Sequence, residues 1–241
     1  MLHALLDLVF APVCLGCDRP IASGDAARLV CRVCRARLRV PDPPLCARCG
    51  APARLTGVAP GASCRECAKW PPAIRAARAA CLLKPPADRL VHELKYRGWR
   101  ALAGPMAEAM ARAALPEDSM REATVVVPVP TTRRRLRKRG YNQAEELARA
   151  YAFATGRRCL QLLVRGGDAG TQTSLQPLAR AANVAGAFRL ADDAAQHVVA
   201  RHLLLVDDVM TTGATAGECA QVLVEQGARC VTVVTFARAL A

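Results

Sequence analysis

The sequence has no long hydrophobic run and few aromatic residues. Its longest apolar stretches, residues 124–130 and 202–206, are far shorter than the roughly 18 residues that a membrane-spanning helix needs. Phenylalanine, tryptophan and tyrosine make up only 4% of the 241 residues, so few side chains are available to stack on nucleic-acid bases. We therefore expect a soluble protein with no membrane span.

Two glycine-rich nucleotide-binding motifs are also absent. No Gly-x-x-x-x-Gly-Lys-Ser/Thr sequence occurs, which argues against a P-loop nucleotide hydrolase. Glycines at the Gly-x-Gly-x-x-Gly spacing of Rossmann dinucleotide-binding domains are missing as well. Any phosphate-binding site in this chain must therefore be built in another way.

The amino-terminal segment is apolar but lacks the features of a secretion signal. No lysine or arginine precedes its apolar run, Asp7 interrupts the run, and cysteines follow directly. We expect a cytoplasmic protein. In that reducing compartment, cysteines serve as metal ligands or buried thiols rather than as disulfides.

Eight of the 12 cysteines form four Cys-x-x-Cys pairs near the amino terminus. The spacers between the first two pairs and between the last two pairs are close to that of a four-cysteine zinc site. Coordination by four thiolates leaves no open position, so the pattern predicts two structural Zn²⁺ sites in a double zinc ribbon. A cross-braced arrangement, with the first pair joined to the third and the second to the fourth, also fits the spacing. The predicted ligands are Cys14, Cys17, Cys31, Cys34, Cys46, Cys49, Cys64 and Cys67.

The chain is strongly basic, with a formal net charge of +14. Two Zn²⁺ bound through eight thiolates would lower this to about +10. The densest basic run, residues 131–140, lies between an apolar strand over 124–130 and a helix that begins at Asn142. A loop in that position is where open α/β sheets bind phosphates, although a solvated or nonspecific basic loop fits the same pattern.

A second strand, loop and helix follow later in the sequence. Residues 203–206 predict a buried parallel strand, and residues 207–215 begin with two aspartates and continue with threonines and a glycine. An amphipathic helix to about Gln226 comes next, with Gly227 as its cap and a further strand over 229–236. Backbone amides at such a helix start can hold a monophosphate, while the carboxylates can bind sugar hydroxyls and help to hold Mg²⁺.

Taken in order, these segments resemble those of type I phosphoribosyltransferases, which bind 5-phosphoribosyl 1-pyrophosphate (PRPP). They are still more similar to one branch, the ComF family (competence protein F), which carries a double zinc ribbon. The resemblance covers nearly the whole chain. It is carried by the cysteine pairs and by residues 92–98, 127–130, 139–143, 172–175, 180–188 and 206–215.

The resemblance implies an α/β fold with a mostly parallel sheet flanked by helices, as in type I phosphoribosyltransferases, and an N-terminal double zinc ribbon. It divides the chain into a ribbon region over residues 1–70, a linker and hood over 71–122, and a phosphoribosyltransferase domain over 123–241. The hood is the small subdomain that covers the base-binding side. Residues 165–183, with several glycines, resemble the mobile loop that closes over such sites.

The resemblance also implies roles for individual residues. Asp207 and Asp208 would be the catalytic pair that holds the ribose hydroxyls, with Mg²⁺ nearby. Thr211 occupies the position where some purine-salvage relatives carry a carboxylate base, so a base would come from elsewhere, such as His92 or the mobile loop. The 5-phosphate would bind at Thr211, Thr212, Gly213, Ala214 and Thr215, and the pyrophosphate would lie near Lys95, Arg133, Arg139, Gly140 and Asn142.

Two functional hypotheses follow. The first is a Mg²⁺-dependent phosphoribosyltransferase that uses PRPP and an unidentified acceptor. The second is a non-catalytic protein that binds single-stranded DNA with the same phosphate pocket and basic loop, with Tyr141 as the best-placed aromatic residue. The ComF resemblance implies a cytoplasmic role in DNA uptake for natural transformation, with competence-machinery proteins as partners of the zinc ribbons.

Overall fold

Five parallel strands form the central sheet. In the computed structural model, which describes residues 12–21, 29–56, 64–166 and 187–240, these strands run in the order β1-β7-β6-β2-β3. Two short strands, β4 and β5, form a separate antiparallel pair. The bounds are β1 (Ile74–Leu82), β2 (Val125–Pro128), β3 (Arg158–Cys159), β4 (Leu163–Arg165), β5 (Phe188–Leu190), β6 (His202–Met210) and β7 (Cys230–Arg238).

Helices flank this sheet, so the predicted class, a mostly parallel sheet with flanking helices, is confirmed. None of the helices in the described residues is long and apolar enough to cross a membrane. The helices are α1 (Arg32–Ala36), α2 (Ala53–Thr56), α3 (Ala87–Tyr96), α4 (Ala103–Ala111), α5 (Glu117–Glu122), α6 (Arg133–Arg139), α7 (Gln143–Ala154) and α8 (Ala214–Glu225), with 3-10 turns at Arg100–Leu102 and Ala195–His197.

The sheet separates two hydrophobic cores. Successive side chains of a strand point to opposite faces, so Leu204 and Val206 of β6 pack with α3, α4 and α7, whereas Leu203 and Leu205 pack with α8. The fully apolar run of β6 is explained by this burial on both faces. The same alternation sends the side chains of Asp207 and Asp208, which follow directly, to opposite faces of the sheet.

Two predicted boundaries were wrong around the expected phosphate-binding segments. The strand predicted over 203–206 continues to Met210, because its pairing with β7 extends to Arg238. The two aspartates therefore lie on the strand itself and not in the following loop.

The basic segment predicted as a loop contains the helix α6. The Thr132 hydroxyl caps its start by accepting a hydrogen bond from the Arg135 amide at 3.2 Å. Gly140, with φ of +78°, ends it in the left-handed conformation. Arginine, leucine and lysine are good helix formers, and this intrinsic preference explains the correction.

The region between the ribbons and the second half of the chain contributes directly to the sheet. Strand β1 pairs with β7 from Ile74 to Leu82, so the sheet draws strands from both sides of the expected boundary at residue 123. The division into 1–70, 71–122 and 123–241 remains a prediction. Trp70, the last residue of the expected ribbon region, is buried with 7% exposure. The mobile loop expected over 165–183 lies almost wholly outside the described residues.

The eight paired cysteines gather into two four-cysteine clusters, which decides between the two pairings that the sequence left open. The first cluster joins Cys14, Cys17, Cys31 and Cys34, and the second joins Cys46, Cys49, Cys64 and Cys67. Consecutive pairs therefore combine, and the cross-braced alternative is wrong.

The geometry of both clusters fits Zn²⁺. Tetrahedral zinc with bonds of about 2.3 Å requires sulfurs about 3.8 Å apart. The Sγ atoms of Cys46 and Cys67 are 3.8 Å apart, and those of Cys17 and Cys31 are 3.9 Å apart. These separations are far beyond the roughly 2.05 Å of a disulfide. The amides of Gly16 and Cys31 each donate to the Cys14 sulfur at 3.3 Å, an interaction that favours a thiolate.

Elemental analysis of the purified, reduced protein should give about two zinc ions per chain. Cys49→Ser should lower this to about one, because three thiolates hold zinc far less well than four. Cys159→Ser is the matched control, since this half-buried thiol lies outside both clusters, and should leave the zinc content unchanged. A zinc-free wild-type protein would refute the metal assignment.

Candidate functional site

A small cavity lies where β6 passes into α8. Its volume is about 70 Å³, and Asp207, Thr235 and the turn between the two elements line it. We call this turn the phosphate loop; it consists of Thr211, Thr212, Gly213, Ala214 and Thr215. Gly213 caps α8 with φ of +82°, a conformation that glycine adopts without strain.

The start of α8 presents three backbone amides to this cavity, and one of them, that of Ala214, donates to Thr212 Oγ1 at 3.4 Å. The Gly217 amide makes the first helical hydrogen bond, to the Gly213 carbonyl at 2.8 Å. The amides of Ala214, Thr215 and Ala216 precede it and have no intrahelical acceptor. Together with the positive end of the helix dipole, these groups form an arrangement that stabilises a bound anion such as a phosphate monoester.

Asp207 faces this cavity. Burial raises the pKa of its carboxyl to about 8, and the negative charge of Asp208 acts in the same direction. The Asp208 amide donates to Asp207 Oδ1 at 2.8 Å, and Lys95 adds a favourable charge, but both effects are smaller. The carboxyl group therefore lies at the cavity wall where a sugar hydroxyl could reach it.

Asp208 lies on the other face of β6, paired with Lys95. The Lys95 Nζ atom is 2.9 Å from Asp208 Oδ1, and the aspartate side chain is only 3% exposed. Among the described residues, no hydrogen-bond partner reaches Oδ2 of this carboxylate. Lys95 comes from the last turn of α3, so α3 is joined to the end of β6 at this point.

A larger cleft opens beside Lys95. It has a volume of about 280 Å³, and no carboxylate lines it in the part of the chain that the structure describes. This concentration of positive charge suits the binding of a pyrophosphate or a nucleic-acid backbone. We call it the basic cleft; its lining residues are Lys95, Tyr96, Gly98, Arg134, Arg135, Lys138, Arg139 and Tyr141.

The two tyrosines of the basic cleft differ in exposure. Tyr141, predicted to be the best stacking residue, is 6% exposed, and its hydroxyl donates to the Leu94 carbonyl. Tyr96 is 62% exposed, and the Arg139 guanidinium lies 5.0 Å from the centre of its ring. Tyr96 is therefore the aromatic ring that a base could stack on, and sequence reasoning missed it although it lies within the segment 92–98.

The other residues expected near the pyrophosphate have different positions. Arg139 lines the cleft and donates to Gln143 Oε1 at 2.7 Å. Arg133 is exposed and lies outside the cleft lining. The Asn142 amide donates to the Val129 carbonyl at 3.0 Å, and its oxygen caps α7, so this side chain has a structural role. Gly140 ends α6.

His92, expected as a possible base, is exposed. Its ring contacts that of Tyr96, with ring centres 5.1 Å apart.

The structure thus brings together the phosphate loop, the two aspartates and four cations of α6. Lys95 connects them, since it lines the cleft and pairs with Asp208. Sequence reasoning had not identified Lys138, nor that one face of α6 lines the cleft. The spacing of the cations at 134, 135, 138 and 139 could have indicated this face, because residues three and four apart lie on the same side of a helix.

Asp207→Asn should stabilise the ligand-free protein at neutral and higher pH. The raised pKa means that ionising Asp207 costs folding free energy, so wild-type stability falls as the pH rises from about 4 to about 8. Asp207→Asn does not undergo this loss, so its free energy of unfolding should exceed that of the wild type by at least ~1 kcal/mol at pH 8. Thermal melts from pH 5 to 8 should show a growing gap between the two proteins.

Asp208→Asn is the control for that measurement. It should lower the melting temperature, because Lys95 then loses its buried partner. A gap between wild type and Asp207→Asn that stays constant across this pH range would contradict the assignment.

Comparison with known proteins gives a match to one domain family and matches to solved structures. The double zinc ribbon domain family matches residues 5–76. The structure of the allosteric regulatory enzyme of purine biosynthesis is similar over 55% of this chain, with 23% identity and a TM-score of 0.38. The structure of glutamine phosphoribosylpyrophosphate amidotransferase from B. subtilis with ADP and GMP is similar over 56% of this chain, with 18% identity and a TM-score of 0.39. The matches span 25% and 26% of those chains.

Curated relatives match at nearly full length. DNA utilization protein YhgH of Escherichia coli strain K12 is 31% identical over 238 residues, which cover 95% of this chain and 97% of the relative. The protein of the same name from Salmonella typhimurium strain LT2 is 32% identical over 238 residues with the same coverage. Since both the zinc ribbons and the phosphate loop lie within this alignment, the chain belongs to the family of the DNA utilization protein YhgH.

Proposed function

We propose that this protein binds PRPP with Mg²⁺ across the end of β6. The observation that carries the proposal is the joining of two anion sites by one ion pair. The phosphate loop suits a single phosphate group, and the basic cleft suits a larger anion. The Asp208–Lys95 pair links them, because Lys95 lines the basic cleft and Asp208 directly follows Asp207, which lines the cavity of the phosphate loop. PRPP has a monophosphate at one end and a pyrophosphate at the other, with a ribose between.

Each part of the site then has a defined task. The amides and hydroxyls of the phosphate loop bind the 5-phosphate. Asp207 accepts hydrogen bonds from ribose hydroxyls in its ionised form, and a nearby cation would lower its raised pKa enough to make that form dominant. Lys95 and the cations of α6 hold the pyrophosphate.

The donor atoms present fit Mg²⁺. Asp207 and Asp208 supply carboxylate oxygens, which this ion prefers, and Asp208 Oδ2 is buried without a hydrogen-bond partner among the described residues. When bound, Mg²⁺ would neutralise negative charge on the pyrophosphate.

This arrangement supports transfer of the phosphoribosyl group to an acceptor. Breaking the bond between C1 and the pyrophosphate oxygen leaves positive charge on the sugar and negative charge on the leaving group. Cations in the basic cleft stabilise that negative charge, and the phosphate loop holds the sugar in place. Thr211 offers no base at neutral pH, so deprotonation of an acceptor would fall to another group.

Single-stranded DNA is the second candidate ligand. One observation favours it: the basic cleft combines five cations with the exposed ring of Tyr96. A cationic groove with an aromatic ring is the usual arrangement for binding single strands. The name of the relatives and the ComF resemblance support a role in the use or uptake of DNA. Docking of competence proteins on the zinc ribbons stays a prediction.

PRPP with Mg²⁺ should raise the melting temperature of the protein. Binding to the folded state stabilises it by about 2.7 kcal/mol when the ligand is present at 100 times its Kd. The double variant Asp207→Asn with Asp208→Asn should abolish this shift.

The control for that measurement is Asp192→Asn with Asp193→Asn, which neutralises two adjacent exposed aspartates outside the site. It should keep the full PRPP-dependent shift. Wild-type protein that melts at the same temperature with and without millimolar PRPP would rule out the proposed ligand.

Single-stranded DNA binding should weaken steeply with salt and depend on the face of α6 that lines the cleft. Arg134→Ala with Arg135→Ala should reduce affinity about tenfold and lower the salt slope by about 1.4, since each phosphate contact contributes about 0.7. Fluorescence anisotropy with a labelled oligonucleotide measures both quantities.

Arg133→Ala with Arg137→Ala is the matched control, because it removes the same charge from the same helix outside the cleft lining. Its effect should be much smaller. Equal losses in the two double variants would indicate attraction by net charge alone and would exclude a DNA site in the cleft.

A further inference from the structure

Trp70 lies between the second cysteine cluster and the phosphate loop. Its backbone amide donates to the carbonyl of the zinc ligand Cys67 at 3.1 Å. Its indole Nε1 donates to the Thr212 carbonyl at 2.7 Å. One residue therefore joins a predicted metal ligand to the loop that would hold the 5-phosphate.

The ring of Trp70 fits closely against the next residue of the loop. A Cβ atom at Gly213 would lie 2.7 Å from the indole, so only glycine permits this contact. Pro71 packs in the same way on Gly217, where a Cβ would lie 3.2 Å from the proline ring. Two consecutive residues that follow the second cysteine cluster, Trp70 and Pro71, thus contact the turn that begins α8.

Trp70 is itself fixed by the second cluster. Arg48, which lies between Cys46 and Cys49, donates to the carbonyls of Cys67 at 3.1 Å and Trp70 at 3.2 Å. The same guanidinium donates to the Pro71 carbonyl at 2.6 Å. The position of the indole therefore depends on both cysteine pairs of this cluster, and a bound zinc ion would hold those pairs together.

A second arginine, which is buried, strengthens this connection from the sheet. Arg238, at the end of β7, is 1% exposed, and its guanidinium lies 5.4 Å from the centre of the Trp70 ring. It also donates to the Cys49 carbonyl at 2.7 Å. The ring is thus enclosed by the ribbon, the sheet and the phosphate loop.

The first cluster has a different environment. Its residues pack into the core of α3, α4 and α7, and Gly16 lies against Cys34 and Pro86. The second cluster packs into the core shared with α8. The two clusters are therefore a natural pair for comparison, since they have the same ligands and lie in different cores.

We propose that Trp70 is a positioning residue through which the zinc-loaded second cluster sets the conformation of the phosphate loop. Zinc binding and phosphate-ester binding are then linked, and each strengthens the other. The linkage to phosphate-ester binding rests on the proposed function, whereas the structural link between the second cluster and the phosphate loop does not.

The link is tested in ligand-free protein by NMR. The chain has two tryptophans, so its indole N–H signals are assigned by Trp99→Phe, which changes an exposed ring. Cys64→Ser should move the Trp70 indole signal and speed exchange of the Gly217 amide about tenfold, because the turn it closes becomes loose. Cys31→Ser, in the first cluster, should change neither signal.

Trp70→Phe tests the same link without altering a zinc ligand, in case Cys64→Ser does not fold. It should retain two zinc ions, speed Gly217 exchange and weaken PRPP binding about tenfold. Binding of single-stranded DNA in the basic cleft should stay unchanged, which a general loss of folding would not allow.

The outcomes separate the two proposals. Unchanged Gly217 exchange in both Cys64→Ser and Trp70→Phe would overturn the link, even if PRPP binds. Faster exchange in these variants, in a protein that does not bind PRPP, would support the link and refute the proposed ligand. Slower zinc release to a chromogenic chelator in the presence of PRPP would support both.

Discussion

The alternation of side chains along β6 is the constraint on which the site depends. Leucines and valines of this strand fill both cores, and the two aspartates that follow continue the same alternation. As a result, Asp207 meets the start of α8, while Asp208 meets Lys95 of α3. Adjacent residues therefore serve opposite faces of the sheet, and a ligand that contacts both must lie across the strand end.

The zinc ribbons pack against the sheet and share its two hydrophobic cores. Each cluster contributes its buried cysteines to a different core, one on each face of the sheet. The segments around the cysteines have little apolar sequence of their own, so they gain stability from the metal and from the domain they cover. Each ribbon therefore shares a hydrophobic core with the sheet that it covers.

The hydrophobic pattern of the sequence predicted a buried parallel strand at 203–206, and the cysteine spacing predicted two four-cysteine clusters, because both depend on local sequence. The parallel sheet as a whole was what the family resemblance implied. It could not define where β6 ends, since the pairing of residues 207–210 with β7 is a contact between distant segments. The helical state of α6 was hidden by its charge, which is typical of solvated loops. The burial of Trp70 and Tyr141 depends on tertiary contacts with Thr212 and Leu94, and no local pattern indicates them.

The composition of α6 has a consequence for its own stability. Six of its seven residues are cationic, and the pairs 133/137, 134/138 and 135/139 bring like charges within one helical turn. Such pairs repel each other and oppose helix formation, most strongly at low ionic strength. An anion seated against this helix removes the repulsion as it binds. Anion binding and the helical order of α6 thus increase together, and the helix is most stable when an anion is bound.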